Sequence, residues 1–187
     1  MKIICIEGSH GCGKTMIIEE IKNRGLSVLD EGFLNMPEFA LSPQSHTMEF
    51  IWISQWITRA LELRKNNIDN DNSATIYYAD RSPFSALLYA SRGSLLESSL
   101  KYMIAELAAA GIEIITCYIS VTDDVLWKRI SDRLLREPMR EKYNEGSREW
   151  MQKVVQFYED HKSLWQYEIS NTSVEVDDIV AKIIAIC

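Results

Sequence analysis

The chain has 187 residues, 47% of them hydrophobic and 25% charged, which is enough for one sizeable core and too few to favour two, so a single domain over 1–187 is expected. A net charge of −7 and a pI near 5.1 exclude an extended basic footprint for a nucleic-acid polymer or an anionic membrane, and leave phosphate handling to a local pocket. Cys5, Cys12, Cys117 and Cys187 have neither CxxC nor zinc spacing, no apolar run approaches the roughly 18 residues of a membrane helix, and the amino terminus lacks a secretory signal, so a reduced, cytoplasmic chain is expected.

KIICI at residues 2–6 reads as a strand ending at Glu7-Gly8. A glycine-rich segment follows and leads into a helix carrying Met16, Ile17, Ile18 and Ile21, which Gly25 stops. Ser27-Val28-Leu29 is a second short strand, with Asp30-Glu31 at its end. Beyond the breakers Pro37 and Pro43 the periodicity predicts a helix over about 44–65. One stripe holds Met48, Ile51, Trp52, Trp56, Ala60 and Leu63 and another Phe50, Ile53, Ile57 and Leu61, the pattern of a helix buried on most sides. Its least apolar strip puts Gln55, Arg59 and Glu62 on one face.

The turn-rich run 66–73 introduces a third strand, Thr75–Ala79, followed by Asp80-Arg81-Ser82. Helices at about 83–91 and 95–109 precede the most strand-like segment, 112–119. Thr122 is positioned as an N-cap, with Asp123 and Asp124 in the next helix's first turn, where carboxylates have a structural role. A charged stretch, 128–149, leads into a helix over about 147–167 with Trp150, Val154, Phe157 and Leu164 on its apolar face. Strand Val174–Val176 and helix Asp178–Ile184 close the chain. Strands alternating with helices imply a parallel sheet covered on both faces, with binding groups beyond the strands' carboxyl ends, here residues 8–15, Glu31 and Asp80-Arg81.

The strongest motif is Gly8-Ser9-His10-Gly11-Cys12-Gly13-Lys14-Thr15, a complete G-x-x-x-x-G-K-T between a strand and a helix. Its glycines let backbone N–H groups wrap phosphate oxygens, Lys14 neutralises β/γ charge, and Thr15 can hold magnesium. His10 and Cys12 fill variable positions without a catalytic role, although a helix N-terminus lowers a thiol's pKa and would make Cys12 reactive. Arg129, Arg133, Arg136 and Arg140, spaced four, three and four, fall on one helix face. They are either a lid that shares a transferring phosphate or a solvated face neutralised by Asp132, Glu137 and Glu141.

IEGSHGCGKT (6–15), LDE (29–31), DRSPFSALLYA (80–90) and RISDRLLRE (129–137) together resemble the deoxynucleoside kinase and thymidylate kinase group of P-loop kinases. The resemblance implies a three-layer α/β P-loop fold, a five-stranded parallel sheet with helices on both faces, an arginine-rich lid over about 129–145, and transfer of the γ-phosphoryl of ATP with Mg2+ to a small nucleoside or nucleotide acceptor. Carried across, Lys14 and Thr15 serve phosphate and magnesium, Asp80 joins Thr15 as a metal ligand, Arg81 acts near the acceptor, and Arg129 and Arg133 act from the lid. Glu31 matches the carboxylate that serves as general base toward an acceptor hydroxyl. Such a base suits a hydroxyl nucleophile, whereas a phosphate acceptor is already anionic. The resemblance also allows a homodimer.

The segment after Glu31 lacks the longer Arg- and Pro-containing stretch of thymidylate kinases, and Gln55 and Arg59 are spaced more closely than the base-reading pair of deoxynucleoside kinases. Base recognition is unassigned. Trp52, Trp56, Phe33 and Phe84 are either base-stacking groups or core. Phosphorylation of a nucleoside 5'-hydroxyl is the leading expectation. A monophosphate kinase of thymidylate type and a slowly hydrolysing nucleotide switch are the alternatives, the last disfavoured by the lid and by the lack of an N-K-x-D guanine signature.

Overall fold

The structure is a computed structural model that describes residues 1–32, 41–69 and 75–186. Its strands are β1 (Lys2–Glu7), β2 (Val28–Leu29), β3 (Ile76–Asp80), β4 (Glu113–Ser120) and β5 (Tyr167–Ser170), and they form one parallel sheet in the order β2-β3-β1-β4-β5. Val28 is registered with Tyr78, and Cys117 with Tyr167. The helices are α1 (Lys14–Asn23), α2 (His46–Asp69), α3 (Ser85–Tyr89), α4 (Glu97–Ala109), α5 (Asp123–Arg136), α6 (Arg148–Asp160) and α7 (Val176–Ile184). The architecture is the expected three-layer α/β fold. Among the described residues no helix is long and apolar enough to cross a membrane.

Two compact units partition the chain: Met1–Cys5 with Ser27–Ile115, and Ile6–Leu26 with Thr116–Cys187. In the first, α2 contributes Trp52, Ile53, Trp56 and Ala60 to a core completed by Tyr78 and Ala79 of β3 and by Leu100 and Leu107 of α4. Trp52, Trp56 and Phe84 are therefore core residues, and Phe33 lies outside the described residues. The expectation of burial on most sides of α2 is corrected. Its buried set, Met48, Glu49, Trp52, Ile53, Trp56, Ala60 and Asn67, follows a single helical stripe, while Phe50 and Leu61 are 44% and 46% exposed.

In the second unit, α1 ends as Gly25 implies: the glycine takes φ 77°, and the amides of Gly25 and Leu26 bond back to the carbonyls of Lys22 and Ile21. An ion pair from Arg24 to Asp177 joins α1 to α7. The last strand is not Val174–Val176. Glu175 is the N-cap of α7, and Asp177 and Asp178 lie in its first turn, where the helix dipole favours carboxylates over the strand that β-branched valines suggest. The strand is instead Tyr167–Ser170, because the predicted long helix ends at Asp160 and a 3-10 turn, Lys162–Leu164, redirects the chain.

Among the described glycines Gly93 leaves the least room, since a Cβ there would lie 1.9 Å from the Leu87 carbonyl oxygen. Backbone cannot yield as a side-chain tip can, so Gly93→Ala is expected to destabilise by ~2 kcal/mol or more and to lower Tm by about 5 °C in thermal denaturation. An unchanged Tm would show that α3 does not pack on this turn.

Candidate active site

The glycine-rich loop lies wholly in the second unit. Gly8, Gly11 and Gly13 take φ of 147°, 79° and 103°, a positive-φ backbone that glycine adopts without the strain a side chain would bring. A Cβ on Gly8 would meet the Ile119 carbonyl at 2.8 Å, and one on Gly11 would meet Ile130 of α5 at 2.8 Å, so β4 and α5 hold the loop closely. The Lys14 ammonium is buried and donates to the carbonyls of Gly8 (2.8 Å) and Ser9 (2.9 Å). Thr15 is exposed, and its hydroxyl has no partner among the described residues.

Cys12 is fully buried, with Sγ 3.8 Å from Lys14 Nζ, so the expectation of a reactive thiol is corrected by its lack of exposure to solvent. Two supports of the loop went unread in the sequence. Asn171, just past β5, donates from Nδ2 to the Cys12 carbonyl at 2.7 Å. Glu7, just before the loop, accepts from the Tyr158 hydroxyl at 3.0 Å, and Tyr158 stacks on Tyr118 with centroids 4.9 Å apart.

The arginine series is only partly one helix face. Pro138 disfavours helical backbone at the residue before it, so α5 ends at Arg136 and Arg140 falls in the 3-10 turn Pro138–Tyr143. Glu137 pairs with both Arg133 (3.4 Å) and Arg140, whose guanidinium holds the Glu137 carboxyl below its ordinary range, and Arg140 also reaches the buried Glu145 at 3.0 Å. Arg129 has no ion-pair partner among the described residues. Thr122 is the N-cap of α5 by backbone position but makes no side-chain cap bond, and Asp124 in the first turn pairs with Arg148 at 2.8 Å.

In the first unit, Glu31 and Arg81 meet. Arg81 donates from Nε to Glu31 Oε1 at 2.7 Å, its guanidinium stands 5.1 Å over the Tyr89 ring, and its backbone takes φ 72°. The Trp52 indole N–H bonds the Glu31 carbonyl at 3.1 Å, tying this end of β2 to α2. Arg59 bonds Asp30 through Oδ1 (2.8 Å) and the backbone carbonyl, and packs over Gly32, where a Cβ would lie 2.8 Å from Nη2. Gly32, Trp52, Gln55, Thr58 and Arg59 border an open cavity of about 460 Å3. Asp80 closes β3 within this unit, half-buried.

Glu49 completes the cluster. Only 1% exposed, it lies in the first turn of α2 with no hydrogen-bond partner at Oε1. Burial pushes its carboxyl up to about 8, with the Arg81 charge opposing and the Glu31 charge adding. Its position three, four and seven residues before Trp52, Ile53 and Trp56 puts an acid inside the buried stripe, a signal that periodicity contains.

A crystal structure of YorR protein from Bacillus subtilis in complex with phosphorylated GDP aligns at a TM-score of 0.63 and 18% identity, covering 98% of this chain and 94% of that one. A crystal structure of a gluconokinase from Sinorhizobium meliloti 1021 aligns at 0.54 and 15% identity, covering 98% and 90%. At these identities the likeness is one of fold, the three-layer α/β arrangement. No protein-family model and no curated protein matches the sequence.

Glu49 binds its proton more tightly folded than unfolded, so its contribution to stability is fully present below the ordinary carboxyl range and is lost as pH rises through about 8. Glu49→Gln removes that dependence. Parent and variant are expected to melt at similar temperatures near pH 5, with the variant ahead by several degrees at pH 8. A gap that stays constant with pH would contradict a buried, protonated Glu49.

Proposed function

We propose that the chain is an ATP-dependent phosphotransferase whose acceptor is the 5'-hydroxyl of a nucleoside. The glycine cradle, the Lys14 ammonium and the open Thr15 hydroxyl suit the triphosphate of ATP with Mg2+. Magnesium would be held by the exposed Thr15 hydroxyl and phosphate oxygens, with Asp80 a further candidate. Bound there, the ion would neutralise β/γ charge. Lys14 would shift from loop carbonyls to phosphate, and Arg129 and Arg133 would stabilise charge on the transferring group. Structures of the same fold, one a gluconokinase and one a protein in complex with phosphorylated GDP, support phosphotransfer with a nucleotide.

The observation that carries the acceptor reading is the Glu31–Arg81 pair. Both arginines of this cluster already have carboxylate partners, Arg81 with Glu31 and Arg59 with Asp30, which suits an uncharged acceptor better than a monophosphate. Glu31 then takes the proton of the attacking hydroxyl while Arg81 fixes its orientation. We place this reaction in the cytosol.

Glu31→Gln keeps an oxygen for Arg81 and removes the base. Turnover on a nucleoside panel is expected to fall by roughly 100- to 10,000-fold in a coupled ADP-release assay. Parent activity confined to monophosphates and insensitive to Glu31→Gln would overturn the hydroxyl reading in favour of a monophosphate kinase. Slow ATP hydrolysis with neither panel would favour a switch.

A further inference from the structure

We infer that Asn171 is a positioning residue of the phosphate loop, aiming the Gly13 amide into the anion cradle. The inference rests on the donor reading of the loop. Cys12 C=O and Gly13 N–H belong to one planar trans peptide and point in opposite directions. Asn171 Nδ2 holds the Cys12 carbonyl at 2.7 Å, which turns the Gly13 N–H the other way. The amide uses space that only glycine leaves, since a Cβ on Gly13 would lie 2.7 Å from the same Nδ2.

Asn171 is itself fixed. It is 4% exposed, and its backbone N–H continues the β4–β5 ladder by donating to the Ser120 carbonyl at 2.8 Å. The contact spans 159 positions of sequence and is internal to the second unit. Lys14 holds the carbonyls of Gly8 and Ser9, but on the proposed reading it leaves them for phosphate. Asn171 carries no charge to be drawn away, so its grip on Cys12 persists when an anion enters. Without it the Cys12 carbonyl is a buried acceptor free to rotate, and rotation would turn a carbonyl oxygen toward the anion in place of an N–H.

The test is calorimetric titration of the full-length chain with inorganic tripolyphosphate, ADP and ATP, alongside thermal denaturation without ligand. Asn171→Ala is expected to weaken all three ligands by a similar factor, about tenfold. Asn171→Asp, which sets a carboxylate against the Cys12 carbonyl, should weaken them further. Asn171→Ser, which keeps a shorter donor, serves the same comparison if the alanine variant does not fold. Affinities equal to the parent's would overturn the inference, including the case where only Tm falls, because that is a purely structural role. Loss confined to ADP and ATP with tripolyphosphate unaffected would also overturn it, since that pattern marks a base contact. A parent that binds none of the three overturns the donor reading along with it.

Discussion

A loop that binds anions through its amides must turn its carbonyls elsewhere, and those carbonyls need partners. The second unit meets this constraint at several places. Lys14 satisfies Gly8 and Ser9, Asn171 satisfies Cys12, and left-handed glycines let the chain make the turns in between. Packing then fixes the loop as a body, with Ile130 and Leu126 against Gly11 and the Ile119 carbonyl against Gly8. At the entrance, Glu7 is fully buried and held by Tyr158, whose ring is clamped by Tyr118 and whose carbonyl takes the Trp165 indole N–H at 2.9 Å. On the proposed reading Lys14 leaves Gly8 and Ser9 when an anion arrives, and the Asn171 bond and this packing are what keep the rest of the loop in place.

The first unit solves a different problem. It holds an arginine near two carboxyl groups in different surroundings: Glu31 has a direct bond to Arg81, whereas burial pushes the Glu49 carboxyl up to about 8. Arg81 reaches its place in a left-handed backbone conformation that side chains disfavour by about 1–3 kcal/mol. The Glu31 bond and the Tyr89 ring are among the contacts that hold it there. On the proposed reading, in which Arg81 orients the base Glu31, this strain marks a site shaped for chemistry more than for stability.

Much of this was legible in the sequence. The phosphate loop announces itself through spacing and flanking elements, and the pairing of Glu31 with Arg81 follows from two parallel strands ending on the same side. What escaped was of two kinds. Glu49 was in view, as an acid at buried periodicity, but the second apparent stripe of α2 obscured which face is inner. Asn171 left no local mark, because its partner is 159 positions away and a single asparagine after a strand reads as a turn. The C-terminal strand was misplaced for a local reason: valine favours strands, yet the acids beside Val176 cap a helix.

The partition of the chain has a genetic consequence. Glu31, Glu49, Arg59 and Arg81 all fall within the uninterrupted stretch Ser27–Ile115, whereas the phosphate loop, Asn171 and the arginines of α5 lie outside it. One contiguous exchange of coding sequence would therefore replace every residue proposed for the acceptor, together with the candidate magnesium ligand Asp80, and leave the glycine-rich loop and its supports in place. On the proposed reading, recombination within such a fold would alter the acceptor without rebuilding the phosphate loop, provided that β1 and β4, whose residues are divided between the units, keep their pattern.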